Sequence, residues 1–353
     1  MAKVRLHHFD MLKGIAIFLV VMGHVLTMCI RDIDSAVLFK FVEKIHMPIF
    51  FFISGYFTFK LCDGNRVNKP DLLSRAKQLL VPFFIVSALW IYYFPNSGLQ
   101  SPFISTWEGL YFSVGKNGYW FTLCLFEIIV IYWIIASILS FCKKIISRIG
   151  VIIVVWLALN ALTKYVIPEQ VNVLLGTSLL CEFFPIFMLG ALARAERDTF
   201  DKITASNIWV TVAMLLGSVF MYLACWPWEI NLSNDMVVIV KQLLYMCVIV
   251  VAISVVKPWG ENAFCEYRPN GTFMARLWEY LGTQSLAIYL LHYFFLFPMA
   301  VLREPLIGMN LNLVPTLIVA AFFATIIISV TLCVNHIISK SKLLSLILTG
   351  KNN

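Results

Sequence analysis

Ten long runs of apolar residues limit the fold of this chain more than any other feature. The runs occupy residues 14–30, 45–59, 78–94, 119–142, 149–166, 176–193, 206–225, 236–256, 281–301 and 311–337. Most of them approach the ~20 apolar residues that a helix needs to cross a bilayer. Only 13% of the residues are charged, whereas a soluble domain carries about 25%. The sequence therefore predicts an all-α integral membrane protein with about ten transmembrane helices in one bundle.

The basic residues are distributed unevenly between the two sides of this bundle. If the N-terminus is cytoplasmic, 20 Lys and Arg residues fall on that side and six, including Lys116, on the other, with Lys241 inside a run. Cytoplasmic loops are enriched in Lys and Arg, so both termini are predicted to be cytoplasmic. The net charge of +8 then reflects topology, and we expect no nucleic-acid partner. The first run has no small-x-small cleavage site before it ends, which favours a retained helix over a signal peptide.

Several kinds of site have no support in the sequence. The nine cysteines include no Cys-x-x-Cys pair, and we expect neither a disulfide framework nor a metal site. No Walker loop, Gly-x-Gly-x-x-Gly, His-Glu-x-x-His or Gly-x-Ser-x-Gly motif occurs. No segment between the runs is long enough for a second domain, so we interpret residues 1–353 as a single membrane domain.

Two ionisable residues lie on one face of the first predicted helix. Lys13 and His24 are eleven residues apart, and steps of about 100° bring them to nearly the same side, roughly 16 Å apart along the axis. Ionisable groups inside a membrane are costly and indicate function by default. The alternative is a structural histidine that donates to a backbone carbonyl. The shared face and the neighbouring Gly23 favour a functional site.

His46, Arg75 and Lys77 are further candidates, each with an ordinary alternative. His46 begins the second run, near the outer surface in the predicted orientation, where it could be a plain interfacial residue. Arg75 and Lys77 precede the third run on the cytoplasmic side. Basic residues commonly flank the cytoplasmic ends of membrane helices, which would explain both. Guanidinium and ammonium groups also bind phosphate, however.

Polar residues in the later runs are weaker candidates. Glu127, Glu182 and Lys241 could simply pair with other charges in the bundle. Trp120 lies where an aromatic belt is expected anyway. His292 is ambiguous from sequence alone. We count Asp10, Trp120, Glu127 and His292 as supporting candidates.

Six segments resemble, in order, the sequence blocks of the acyltransferase-3 family of membrane acyltransferases. In the first, a basic residue, ten intervening residues and a histidine match Lys13 to His24. Residues from His46 resemble the second-helix block H-x-P-x-F-F-x-x-S-G, and those from Arg75 the block R-x-x-R-L-L-x-P. The later segments are 120–121, 187–193 and 288–292. The part that resembles the family is about 6–338, which leaves 339–353 as a short cytoplasmic tail.

The resemblance implies transfer of an acyl group, most often acetyl, from cytoplasmic acyl-CoA to a sugar hydroxyl on a cell-surface glycan or glycolipid. It also implies the bilayer, most naturally the bacterial inner membrane, and a surface polysaccharide or lipid-linked sugar as partners. Acetyl-CoA is then a donor substrate rather than a permanently bound cofactor. We expect His24, Lys13 and His46 in the catalytic site, and Arg75, Lys77 and Lys13 at the CoA phosphates.

Two mechanistic alternatives and two functional alternatives remain open at this level. His24 acts either as general base on the acceptor hydroxyl or as the nucleophile of an acyl-histidine intermediate. A secondary transporter could use buried His, Glu and Lys as a proton relay, although no internal sequence repeat supports it. A non-catalytic scaffold would not need Lys13 and His24 on one face.

The sequence departs from the family pattern at two positions. Lys13 replaces the more usual arginine, and Gln78 stands where the third block has its second arginine. Lys77 then supplies a point charge without the fork of a guanidinium. The chain ends sixteen residues after the last run. We therefore expect transfer to be completed within the membrane domain, without the C-terminal esterase-like domain that some family members carry.

Overall fold

The computed structural model is almost entirely helical, which confirms the predicted all-α class. It describes residues 5–30, 33–62, 66–96, 107–263, 271–299 and 312–350. The chain forms two compact units. The first unit contains Met1–Phe50 and Asp198–His336, and the second contains Phe51–Arg197 and Ile337–Asn353.

The helices are named here in chain order. They are α1 His7–Val25 with a π-helical continuation Leu26–Ile30, α2 Ile33–Thr58, α3 Leu72–Asn96, α4 Trp107–Tyr111, α5 Trp120–Phe141, α6 Ile145–Tyr165, α7 Glu169–Leu175, α8 Thr177–Ala195, α9 Arg197–Ala205, α10 Asn207–Cys225, α11 Asn234–Ala263, α12 Phe273–Thr283, α13 Ser285–Leu291, α14 Tyr293–Met299, α15 Leu313–Ile338 and α16 Lys342–Thr349. Short 3₁₀ turns cover Lys116–Gly118 and Pro227–Ile230. Two two-residue strands, β1 Leu61–Cys62 and β2 Arg66–Val67, pair antiparallel between α2 and α3.

Eight helices among the described residues are long and apolar enough to cross a membrane, so the chain is an integral membrane protein. They are His7–Ile30, Leu72–Tyr93, Trp120–Phe141, Ile145–Tyr165, Thr177–Ala195, Asn207–Cys225, Asn234–Ala263 and Leu313–Ile338. The predicted number of about ten and the cytoplasmic location of both termini stay predictions.

The two remaining predicted spans have a different character. The run 45–59 lies in α2 as far as Thr58, and the same helix contains Lys40, Glu43 and Lys44, which makes it less apolar along its length. The run 281–301 is not one long helix in its described part, because it is divided among the end of α12, α13 and α14. This division places His292 at the junction of α13 and α14.

In the first unit, α1 and α12 approach so closely that only glycine fits at their crossing. A Cβ atom on Gly14 would lie 1.9 Å from the carbonyl oxygen of Trp278, and one on Gly282 would lie 1.7 Å from that of Asp10. The Thr272 side chain caps α12 by accepting a hydrogen bond from the backbone N–H of Ala275. The crossing holds the start of the α12–α14 segment against α1, the helix that carries His24.

The second unit contains a similar crossing between the C-terminal part of α2 and α8. A Cβ atom on Gly55 would lie 1.8 Å from the carbonyl oxygen of Phe187, and one on Gly190 would lie 2.0 Å from that of Phe52. In the segment interpreted as a tail, α16 packs on α3, and the left-handed Gly350 lies against the carbonyl of Gln78.

Candidate functional site

His24 lies in the last turn of α1, where the helix widens into the π-helical turn Leu26–Ile30. The Thr27 hydroxyl is 3.2 Å from the carbonyl oxygens of both Gly23 and His24, to which it donates. Single π-helical turns occur frequently at functional sites. His24 itself is half-buried, whereas Gly23 and Val25 are buried. The imidazole therefore extends from a locally irregular part of the helix.

His24 belongs to a cluster of three rings in the first unit. The Tyr293 Oη and His24 Nε2 atoms are 2.9 Å apart, within hydrogen-bond distance. The His24 and His292 rings are stacked with centroids 5.3 Å apart and an angle of 26° between their planes. The His292 and Tyr293 centroids are 4.2 Å apart. The junction of α13 and α14 thus brings two polar rings onto the imidazole of α1.

The tautomer of neutral His292 follows from its backbone contact. Its Nδ1 lies 2.9 Å from the carbonyl oxygen of Ile288. A carbonyl can only accept, so Nδ1 carries the hydrogen and Nε2 carries the lone pair. That Nε2 atom is buried and has no hydrogen-bond partner among the residues that the structure describes. His292 therefore presents an unused acceptor beside His24.

His46 lies in the same unit and is buried, at 6% exposure. Its Nδ1 is 2.6 Å from the Val42 carbonyl oxygen, so it too donates through Nδ1. The imidazole is within electrostatic range of His24. His46 is therefore a buried member of the first unit, and its predicted role at the site stays a prediction.

Lys13 lies in an ionic network at the start of α1. Its Nζ is 2.7 Å from Oδ1 of Asp10, and Asp10 also pairs with Arg5. Glu279 of α12 pairs with Arg5 and His7. Lys13 and His24 share the uninterrupted helix α1, so roughly 16 Å separates them along the axis. Asp10 thus supports Lys13, and a phosphate bound there would compete with this carboxylate.

The expected phosphate-binding residues divide between the two units. Lys13 belongs to the first, whereas Arg75 and Lys77 lie in α3 of the second. The Arg75 Nη1 donates to Oε1 of Gln78 at 3.1 Å, and Lys77 is exposed. The residue that departs from the family pattern, Gln78, therefore orients the arginine beside it.

Trp120 and Glu127 lie on α5 in the second unit and are not part of the histidine cluster's unit. Trp120 stacks on Phe183 with ring centroids 5.5 Å apart, and Phe183 stacks on Phe51 at 4.5 Å. Both carboxylate oxygens of Glu127 are buried, with no hydrogen-bond partner in the described ranges.

Lys116, counted from the sequence among the cations of the outer side, lies in the 3₁₀ turn before α5. It is 1% exposed, and its Nζ donates to the carbonyl oxygens of Tyr111 at 3.1 Å and Val173 at 2.6 Å. Burial lowers the pKa of the Lys116 ammonium from its ordinary value, and the charge of Glu127 partly opposes this change. These carbonyls give the lysine a structural role.

The described segments contain no group of three or more His, Cys, Asp or Glu side chains that could hold a metal ion.

Residues 6–334 match the model of the acyltransferase-3 family, which is described as an acyltransferase domain. This chain belongs to the acyltransferase-3 family. The match extends from the start of α1 through most of α15. It confirms the resemblance carried by the six sequence segments.

Two relatives are similar to this acyltransferase-3 chain over part of their length. Nodulation protein NolL of Sinorhizobium fredii is 31% identical over 196 residues, which cover 52% of this chain and 47% of that protein. Nodulation protein NolL of Mesorhizobium japonicum is 27% identical over 241 residues, which cover 65% of this chain and 59% of that protein. The chain thus spans about half the length of the curated relatives it matches. No solved structure matches it.

Tyr293 is the residue of this acyltransferase-3 cluster that sequence reasoning missed. It directly follows His292, the last residue of the sixth family-like segment. An aromatic residue in an apolar run gives no signal by itself, because most such residues only fill the core. Its position directly after the candidate His292 was the one feature of the sequence that could have pointed to Tyr293.

Proposed function

We propose that this protein is an O-acyltransferase of the bacterial inner membrane. It moves an acyl group, most often acetyl, from cytoplasmic acyl-CoA to a sugar hydroxyl on a cell-surface glycan or glycolipid. Family membership and the eight apolar helices support a membrane acyltransferase. The contact between Tyr293 Oη and His24 Nε2 is the main support for assigning the reaction to His24 and Tyr293.

In the proposed reaction, His24 is the general base and Tyr293 relays the proton. The acceptor hydroxyl gives its proton to the Tyr293 oxygen while the Tyr293 proton passes to His24 Nε2. The acceptor oxygen forms a bond to the thioester carbonyl carbon, and the bond from that carbon to sulfur breaks. The CoA thiolate then takes the proton back from the imidazolium. A hydroxyl already 2.9 Å from Nε2 supports the role of base over that of nucleophile.

His292 and His46 position the acceptor in this scheme. The lone pair on His292 Nε2 accepts a hydrogen bond from the sugar, which fixes the reacting hydroxyl next to Tyr293. A buried acceptor without a partner is costly, so filling it by substrate contributes to binding. The Nδ1 of His46 donates to the Val42 carbonyl oxygen, which holds the ring in place. His46 is within electrostatic range of His24 and helps to orient the sugar.

Cations at the predicted cytoplasmic side hold the CoA phosphates. Lys13 provides one charge on α1, and Arg75 and Lys77 provide two on α3. Arg75 has further N–H donors beyond the one that bonds Gln78, and Lys77 is exposed. The pantetheine arm then carries the thioester toward His24, one helix length from Lys13.

Labelled acyl-CoA supplied to membrane vesicles tests this function. We expect the label to appear covalently in a sugar acceptor in vesicles with this protein and not in vesicles without it. His336→Gln is the matched histidine control, because His336 is exposed and outside the cluster. Solute flux across the vesicle membrane without acyl transfer would contradict the proposal and favour a transporter.

A further inference from the structure

We propose that α16 belongs to the donor site, because it holds the first turns of α3 and thereby positions the Arg75 guanidinium for the CoA phosphates. Arg75 is then a binding residue, and Gly350 at the end of α16 is a positioning residue. This inference rests on the proposed acyltransferase function. It adds an element outside residues 6–334, the part of the chain that matches the family.

The two helices meet in the second unit at one face of α3. Gln78 and Pro82 follow Arg75 by three and seven residues, and these spacings bring all three to nearly the same side of the helix. A Cβ atom on Gly350 would lie 2.2 Å from the carbonyl oxygen of Gln78 and 3.3 Å from Cγ of Pro82. The contact with α16 therefore lies one turn from Arg75 on the face that carries it.

The end of α16 permits this close approach. Gly350 has a left-handed conformation, with φ at +66°, and its N–H donates to the Leu346 carbonyl oxygen at 3.1 Å. Glycine is the residue that adopts this helix ending without strain. The small Ser345 and Thr349 are 0% and 1% exposed, whereas Leu344 is 46% exposed. The buried side of α16 is thus formed by small residues, which let its backbone come close to α3.

Pro82 interrupts the hydrogen bonds of α3 where α16 touches it. In an α-helix the carbonyl of Gln78 accepts from the N–H of residue 82, and proline has no N–H. The first turns of α3, which carry Arg75 and Lys77, therefore lack this bond to the rest of the helix. The end of α16 packs against the same carbonyl. The direction of these turns thus depends on α16 more than it would in an uninterrupted helix.

Gln78 connects this contact to the guanidinium. The Arg75 Nη1 donates to Oε1 of Gln78 at 3.1 Å. The guanidinium is a rigid planar fork, so the direction of one N–H group fixes the directions of the others. Paired contacts to a phosphate require that alignment. A displacement of Gln78 should therefore weaken the binding of CoA without changing the reaction step.

The binding of acetyl-CoA is measured by equilibrium titration of the full-length protein in nanodiscs. Gly350→Ala must push α16 away from Gln78, and we expect the Kd to rise by about threefold to tenfold, the range of one hydrogen bond. The control is Gly176→Ala. Gly176 has nearly the same left-handed conformation, with φ at +69°, but its Cβ would meet the nearest atom at 3.9 Å. Equal Kd values for the two variants would overturn the inference.

The Arg75→Ala background separates positioning from general damage. If α16 acts through Arg75, Gly350→Ala should raise the Kd of the wild type and leave the Kd of Arg75→Ala unchanged. In initial-rate assays of the single variant, the KM for acetyl-CoA should rise while kcat stays the same, because only ground-state binding is lost. An equal rise of Kd in both backgrounds would show that α16 does not act through Arg75, which also overturns the inference.

A milder variant provides the test if Gly350→Ala does not fold. Thr349→Ala removes the buried hydroxyl and methyl groups without creating an overlap, and Leu344→Ala on the exposed side of α16 is its control. The Kd should be higher for Thr349→Ala, and only where Arg75 is present; equal values would contradict the inference. A wild-type protein that binds no acetyl-CoA would contradict the proposed function itself. Binding that is insensitive to α16 would contradict this inference alone.

Discussion

The Tyr293 hydroxyl lies 2.9 Å from Nε2 of His24, although 269 residues separate the two in sequence. His24 is on the first helix, and Tyr293 opens the short helix α14. The contact requires α1 and the α12–α14 segment to pack closely. It also gives the imidazole a hydroxyl partner in the position that an acyl acceptor or a proton relay would occupy.

Removing only the Tyr293 hydroxyl tests the relay. Tyr293→Phe keeps the ring that contacts His24 and His292 but breaks the path of the proton. We expect kcat to fall by about 10²-fold, at the lower end of the contribution of general acid–base groups. The KM for acyl-CoA should change little. Near wild-type kcat in steady-state assays would show that the acceptor reaches His24 directly.

The unused acceptor of His292 predicts an effect on acceptor binding. His292→Phe keeps an aromatic ring against His24 and Tyr293 but removes the Nε2 lone pair. The KM for the sugar acceptor should rise by up to about tenfold, the value of one neutral hydrogen bond. The comparison is with the KM for acyl-CoA, measured in the same assays. Equal changes in both constants would contradict a role in acceptor positioning.

The glycine crossing predicts a stability difference between two Gly→Ala variants. Gly282→Ala places a Cβ atom 1.7 Å from the Asp10 carbonyl oxygen, so α12 must move away from α1. We expect a loss of roughly 1–3 kcal/mol or more, as for other overpacked sites. The control is Gly150→Ala in α6, where an added Cβ meets nothing within 4 Å. Thermal unfolding of the detergent-solubilised protein compares the two. A Tm for Gly282→Ala as high as for Gly150→Ala would contradict the crossing.

The proposed role of Arg75 at the CoA phosphates predicts that its loss weakens the binding of acyl-CoA. Arg75→Ala should raise the KM for acyl-CoA more than it lowers kcat, because ground-state binding is lost. Lys60→Ala is the control, an exposed cation on the same predicted side. If Arg75→Ala and Lys60→Ala behave alike in initial-rate measurements, Arg75 only anchors the helix at the membrane surface.

The sequence allowed the membrane class and most helices to be predicted, because length and apolar content largely determine a spanning helix. The break between α13 and α14 could not be predicted in the same way. Between Leu286 and Met299 only His292 interrupts an apolar sequence, and apolar content does not reveal where the helix is interrupted. The burial of Lys116 could not be predicted either, because the carbonyl oxygen of Val173, one of the two that accept from its Nζ, lies 57 residues away in sequence.

The candidate site was predicted only in part. The spacing of Lys13 and His24 singled out α1, and the structure keeps both on one uninterrupted helix. The partners of His24 could not be derived from spacing, because they depend on the crossing of Gly14 and Gly282, which brings distant segments together. The roles of His24, Lys13, His46, Arg75 and Lys77 stay predictions that activity measurements must test.

The central claim is that the His24 imidazole acts as a base. His24→Gln keeps hydrogen-bonding capacity toward Tyr293 without basicity, so the cluster is preserved while the proton acceptor is lost. The direct measurement is the rate of acyl transfer from labelled acyl-CoA to the sugar acceptor, with acyl-CoA binding measured on the same preparation. We predict a rate lower by about 10²–10⁴-fold with binding retained. A His24→Gln protein that keeps more than about a tenth of the wild-type rate would contradict the account, since losing a base cannot cost so little.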